Sequence, residues 1–163
     1  MATDPGSKGR TIRQTATFAA SPQQVYALLM DSKLHAAVTD HAASVSTKID
    51  GKVSTYGGYG QAKNRVLVPG QRIVQDWRAS DWPEGHWSLA EWTFAPSGQG
   101  CKMTFVQRNV PESEAESIAD GWVEYYWKKM AVYLAKQAKA GARKPAAKKA
   151  PAKKKAAKPK AKK

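Results

Sequence analysis

The chain has 163 residues and a net charge of +14, from 27 Lys and Arg against 13 Asp and Glu. Lys139 to Lys163 carries 12 of those basic residues and no acid, which leaves the first 138 residues with a net charge of only +2. The single cysteine, Cys101, excludes an intramolecular disulfide, and no run approaches the ~20 apolar residues of a membrane span.

Residues 1–10 are polar, with Pro5, Gly6 and Gly9, and lack an apolar run suited to a signal peptide. They read as a flexible arm ahead of one domain over residues 11–138, a length that supports a single core. The expected compartment is the cytoplasm. Thr11–Phe18 alternates Ile12, Gln14, Ala16 and Phe18 against Arg13, Thr15 and Thr17, the pattern of a strand. Ser21-Pro22-Gln23-Gln24 then supplies an N-cap, a Pro at the first helical position and a Gln three residues after the cap. Val25, Leu28 and Leu29 give that helix an apolar face, and it should end by Asp31-Ser32. The Ala-rich stretch up to about Val45 allows one more small helix.

Strands fill the middle. Asp50-Gly51 is a turn dipeptide, Lys52–Tyr56 a strand, Gly57-Gly58 a turn, and Tyr59–Val68 a strand closed by Pro69-Gly70. Arg72–Ala79 alternates Ile73, Gln75 and Trp77 against Val74, Asp76 and Arg78. Trp87–Phe94 puts Ala90, Trp92 and Phe94 on one side. After a turn at Pro96–Gly100, Cys101–Val110 aligns Cys101, Met103, Phe105 and Gln107. Ser113-Glu114-Ala115-Glu116 reads as a second capping box. Ile118, Trp122, Tyr125, Tyr126, Met130, Tyr133 and Leu134 follow at steps of three and four, predicting one long amphipathic helix. A run of antiparallel strands followed by a helix argues an α+β domain with a curved sheet closed around that helix.

Phe18, Trp77, Trp92, Phe94, Phe105, Trp122 and Tyr126 can all face one concavity, together with Gln14, Gln75 and Gln107. Buried amides need partners. Two readings stand: an apolar ligand groove with convergent polar groups, or a core in which the rings fill space and the amides bond to neighbouring backbone. Arg78 beside Trp77, Trp82 and Pro83 is similarly open, either a cavity rim or a solvated cation next to a packed loop.

Little in the chain nominates chemistry. His35, His41 and His86 lack metal-ligand spacing, and Cys101 on an inward strand face reads as an inert thiol. Gly57-Gly58-Tyr59-Gly60 sits between strands and reads as a hairpin rather than a phosphate loop. No cofactor is expected, and the domain reads as non-enzymatic.

Ile73-Val74-Gln75-Asp76-Trp77-Arg78, Trp82-Pro83-Glu84-Gly85 with Ser88, Val25-Tyr26-Ala27-Leu28-Leu29, and Val110-Pro111 followed by Gly121-Trp122-Val123-Glu124-Tyr125-Tyr126-Trp127 carry a resemblance. Over about Arg10 to Lys136 the chain resembles the family homologous to the C-terminal half of the activator of the heat-shock protein 90 ATPase. The resemblance implies the helix-grip fold shared with the birch-pollen allergen and START domains. It also implies a groove between sheet and C-terminal helix, and a chaperone as a partner.

From Lys139 onward only Ala, Lys, Pro, Gly and Arg occur, with Pro145, Pro151 and Pro159 as helix breakers. Such a segment is expected to be disordered. It resembles the tails of linker histones and of lysine-rich nucleoid proteins. Lys144, Lys148, Lys149, Lys153, Lys154, Lys155, Lys158, Lys160, Lys162 and Lys163 are the candidate contacts to DNA or RNA phosphates. The expected binding is non-specific and salt-sensitive, with association at the nucleoid, or in the nucleus of a eukaryote.

Overall fold

The computed structural model describes residues 9–143. Seven antiparallel strands form one sheet: β1 (Gly9–Phe18), β2 (Ser44–Val45), β3 (Lys52–Thr55), β4 (Gly60–Val68), β5 (Arg72–Ala79), β6 (Ser88–Ser97) and β7 (Gly100–Pro111). Their order is β1-β7-β6-β5-β4-β3-β2, so β2 to β7 run as a meander and the first strand closes onto the last. Register shifts between Arg10 and Ile12 and between Asn64 and Val66 interrupt two ladders, and bulges of this kind bend a sheet. The short β2 has no clear periodic signal in the sequence.

Helix α1 (Pro22–Met30) forms as the sequence predicts. The Ser21 hydroxyl accepts from the Gln24 N–H, and the Gln24 side chain accepts from the Ser21 N–H. Asp31 ends α1 and caps α2 (Ser32–Thr39), accepting from the Leu34 N–H at 3.0 Å. Val25, Leu28, Leu29 and Met30 are buried in the core.

The C-terminal helix departs from the expectation in two ways. Ser113 does not cap it: a 3-10 turn (Glu112–Glu114) precedes α3 (Ala115–Trp122), and no side chain caps α3. Between α3 and α4 (Lys128–Arg143), Val123–Trp127 forms a π turn, and the Lys128 N–H donates five residues back to the Val123 carbonyl. A π turn accommodates an extra residue and shifts the phase of everything after it. Trp122, Tyr126 and Trp127 consequently all face the sheet, while Tyr125, predicted on the apolar face, is 56% exposed. Trp122 and Trp127 stack with centroids 5.4 Å apart and ring planes 14° apart, an arrangement five-residue spacing in a regular α-helix does not produce. Trp127 is thus a core residue that α-helical periodicity overlooks.

The helix lies in the concave face of the sheet, with Trp122 at the centre of the packing. Its ring meets Trp77, Trp92, Phe105, Tyr126 and Trp127 at centroid distances of 4.7–5.7 Å. Described helix α4 continues to Arg143, beyond the start of the Ala-Lys-rich segment at Lys139. The ten candidate nucleic-acid lysines, Lys144 to Lys163, lie outside the described residues. No helix among the described residues is long and apolar enough to cross a membrane.

Candidate functional site

The alternation of β1, β5, β6 and β7 turns Gln14, Gln75 and Gln107 toward the helix, and the structure shows what each amide bonds. Trp122 Nε1–H donates to Gln107 Oε1 at 2.8 Å. Gln107 Nε2 donates to Ser88 Oγ at 2.9 Å, and the Ser88 hydroxyl donates to the Trp77 carbonyl at 2.6 Å. Trp127 Nε1–H donates to Gln14 Oε1 at 2.7 Å, while Gln14 Nε2 donates to the Ala119 carbonyl at 2.9 Å. Gln75 Nε2 donates to Asn64 Oδ1 at 3.0 Å, and the Asn64 amide donates to the Ser46 and Lys48 carbonyls. These amides join helix to sheet and strand to loop. Phe18, Phe94 and Phe105 are buried core rings.

An opening persists at one end of the groove. A cavity of about 490 Å³ lies between α3, the π turn and the β3–β4 connection, lined by His41, Thr55, Tyr56, Tyr59, Trp77, Ser117, Ile118, Gly121, Trp122, Tyr125 and Tyr126. Of the predicted groove residues, Trp77, Trp122 and Tyr126 line it. Gln75 and Trp92, with the same three, line a small inner chamber of about 20 Å³ that also touches His35 and Thr55. Gln14, Phe18, Phe94, Phe105 and Gln107 line neither. Sequence reasoning missed the other eight lining residues, the aromatic His41, Tyr56, Tyr59 and Tyr125 among them. Their signal was local: Tyr56-Gly57-Gly58-Tyr59 places two rings around a glycine pair.

That segment has a specific geometry. Tyr56, Gly57 and Gly58 have φ of 51°, 66° and 104°, three successive residues in the left-handed region. For a tyrosine this costs about 1–3 kcal/mol, so surrounding contacts must hold it. Tyr56 Oη–H donates to the Tyr125 carbonyl at 2.6 Å, and the Gly57 N–H donates to the Ala42 carbonyl at 3.2 Å. The ring then packs on His41, Tyr125 and Tyr126 at 4.7, 5.8 and 5.7 Å. Burial, with the nearby Tyr125 phenol, pushes the Tyr56 phenol up to about 12.

No Lys, Arg, Asp or Glu among the described residues lines the cavity. Lys129 stands outside it, its ammonium 5.9 Å from the Tyr56 ring centre and donating to the Thr39 carbonyl at 3.3 Å. Behind the wall, His35 Nε2 pairs with the Tyr126 hydroxyl at 2.8 Å and Nδ1 with the Leu29 carbonyl at 3.1 Å. The Leu29 carbonyl can only accept, so Nδ1 carries the proton and Nε2 accepts from Tyr126. Burial lowers the His35 pKa below its ordinary 6.5 and raises that of the Tyr126 phenol, so both are neutral at pH 7. Among the described residues the site is therefore an aromatic hollow without Lys, Arg, Asp or Glu in its lining.

The other candidates resolve into packing. Trp77 and Trp82 are buried edge to face at 5.5 Å, and Arg78 turns back to donate to the Trp82 carbonyl at 2.7 Å and the Pro83 carbonyl at 3.3 Å. Its guanidinium lies 5.9 Å from the Trp87 ring centre. Cys101 is buried, which pushes its thiol up and away from nucleophilic use.

Comparisons with known proteins agree with this architecture. The family described as activator of Hsp90 ATPase homolog 1-like protein matches residues 19–135. The activator of 90 kDa heat shock protein ATPase homolog of Dictyostelium discoideum is 32% identical over 114 residues, 69% of this chain and 30% of that protein. The human homolog 1 is 30% identical over 111 residues, 68% of this chain and 33% of that protein. The chain thus spans about a third of the length of the curated relatives it matches. Among solved structures, an HSP90 activator from Plasmodium falciparum superposes with a TM-score of 0.73 at 19% identity, covering 77% of this chain and 96% of that one. The Aha1 dimer from Colwellia psychrerythraea gives 0.66 at 16% identity, covering 77% and 96%. At these identities the structures show the shared fold, a curved sheet gripping a C-terminal helix. Three residues of the resemblance, Trp77, Ser88 and Trp122, are joined in one hydrogen-bonded chain through Gln107. With residues 19–135 matched, the chain belongs to the activator of Hsp90 ATPase homolog 1-like family.

Proposed function

We propose that the folded domain is a non-enzymatic binding module that holds a small, uncharged, apolar ligand in the aromatic cavity, and that the tail binds DNA or RNA non-specifically. The observation that carries the first part is the cavity of about 490 Å³, ringed by tyrosine and tryptophan and without Lys, Arg, Asp or Glu among its described lining residues. Its size suits a small molecule, and a neutral aromatic wall favours apolar surface over ions. Native mass spectrometry of the full chain purified from its own host tests this. A ligand-bound mass is expected, and displacement of that ligand by a Tyr125→Trp variant would place it at the mouth. A chain that emerges empty and takes up no apolar compound would remove the reading.

The tail part rests on the 12 basic residues and absent acids of Lys139–Lys163. Each phosphate neutralised lowers log affinity by about 0.9 per log unit of salt, so six engaged lysines give a slope near −5. Removing residues 144–163 is expected to abolish retention of duplex DNA at low salt while leaving the thermal midpoint in place. Retention undiminished in the shortened chain would reject it. On this reading the protein works in the cytoplasm, at the nucleoid, or in the nucleus of a eukaryote.

A second reading is favoured by the relatives, whose names describe activators of the 90 kDa heat-shock protein ATPase and which are 30–32% identical over this domain. Here the chain docks on the chaperone through the same fold and stimulates its turnover. Adding the full chain to the host's heat-shock protein 90 and measuring ATP hydrolysis decides it. Unchanged turnover at saturating chain rejects this reading.

A further inference from the structure

The inner chamber gives the ligand reading a chemical specification. It shares Thr55, Trp77, Trp122 and Tyr126 with the outer cavity and adds Trp92, Gln75 and His35. Its volume of about 20 Å³ is that of a single atom group or one water. Several donors around it are already committed: His35 Nδ1 bonds to the Leu29 carbonyl, Tyr126 bonds to His35, and Gln75 Nε2 bonds to Asn64. Trp92 is the exception. Its side chain is 3% exposed, and the indole N–H has no hydrogen-bond partner among the described residues. Neighbouring rings explain why Trp92 sits there, since it packs on Phe105 and Trp122 at 5.1 and 5.7 Å. They do not satisfy its donor.

An indole N–H can only donate, so what completes it must accept. A carboxylate is a poor candidate, because no Lys or Arg among the described residues lines either chamber and burial keeps His35 neutral at the inner one. We infer that the ligand is an uncharged aromatic molecule bearing one carbonyl-type acceptor, with its ring system in the outer cavity and the acceptor oxygen in the inner chamber on Trp92 Nε1–H. This rests on the cavity-binding reading and narrows it to a ligand class. The aromatic body follows from the outer wall, where tyrosine and tryptophan faces offer stacking to a flat molecule. The acceptor follows from the unmatched donor, because a site built to hydrogen-bond discriminates strongly against an analogue lacking the group.

The test uses two probes of nearly the same shape, 2-acetylnaphthalene and 2-isopropenylnaphthalene, which differ by C=O against C=CH2, and the anion 2-naphthoate. Binding to the full-length protein is followed by the indole N–H resonances of its tryptophans. The ketone is expected to bind at least tenfold more tightly than the alkene, to shift the Trp92 indole proton downfield and to slow its exchange with solvent. Naphthoate is expected to bind more weakly than the ketone at the cavity. Trp92→Phe should reduce ketone affinity to that of the alkene, leaving alkene affinity within about twofold; the wild-type resonance remains decisive if that variant folds poorly. Equal affinities for ketone and alkene would show that a water already satisfies Trp92, and would overturn the acceptor inference alone. Tightest binding of naphthoate in the cavity would overturn it too. Failure of all three probes to bind would take down the cavity-binding reading with it.

Discussion

At the inner end of the groove, Trp122 and Trp127 place their indole N–H groups on Gln107 and Gln14, and the amides pass their own donors to Ser88 and Ala119. At the outer end, Tyr59 and Tyr125 are 43% and 56% exposed around an opening of about 490 Å³. Both regions mix aromatic rings with polar groups. They differ in how the rings are matched: at one end the Trp122 and Trp127 donors bond inside the protein, and at the other the Tyr59 and Tyr125 side chains stand open to solvent or a guest. Aromatic content alone therefore does not mark a binding site, since internal matching of polar atoms turns such a cluster into a rivet.

That contrast can be broken most forcefully at Trp122. Trp122→Ala removes the ring that meets five aromatic neighbours and strands Gln107 Oε1, so unfolding by denaturant should show a loss of about 3–5 kcal/mol. A loss under 1 kcal/mol would mean the inner end is not the structural one. Next comes Gln107→Leu, which keeps the volume and leaves Trp122 Nε1–H without its acceptor; about 1–3 kcal/mol should go, by the same measurement.

A smaller effect sharpens the boundary between the two ends. The folded His35 pKa lies below the ordinary 6.5, so over that interval the unfolded chain binds a proton that the folded chain does not. The His35 contribution is complete above pH 6.5 and is lost as the pH falls below it, at no more than about 1.4 kcal/mol per pH unit. His35→Gln should flatten that part of the stability–pH curve, and an unchanged slope would assign the acid sensitivity elsewhere. The smallest stability effect is expected at the mouth. Tyr125→Ala should shift unfolding by about 0.5 kcal/mol or less while weakening capture of an apolar dye such as 2-acetylnaphthalene several-fold. Its side chain is exposed and its carbonyl, which accepts from Tyr56, survives the substitution.

Where neighbours along the chain set the structure the sequence was mostly readable, the Ser113 box being the exception. The Ser21–Gln24 box, the Asp31 stop and the alternation of β1, β5, β6 and β7 need only adjacent residues, and α+β order follows from their succession. The tail's charge is likewise a property of composition. Tertiary structure decided the rest. The π turn widens the helix so that Trp127 can reach Gln14 on β1, a contact between residues 113 positions apart that no helical period announces. The left-handed Tyr56 is held by the Tyr125 carbonyl, also distant in the chain. Which glutamines are matched, and which rings stay open to a guest, depends on where the helix seats in the curved sheet. Hydrogen bonding is pairwise in space, so the sequence could name the amides and rings while only the packed fold could pair them.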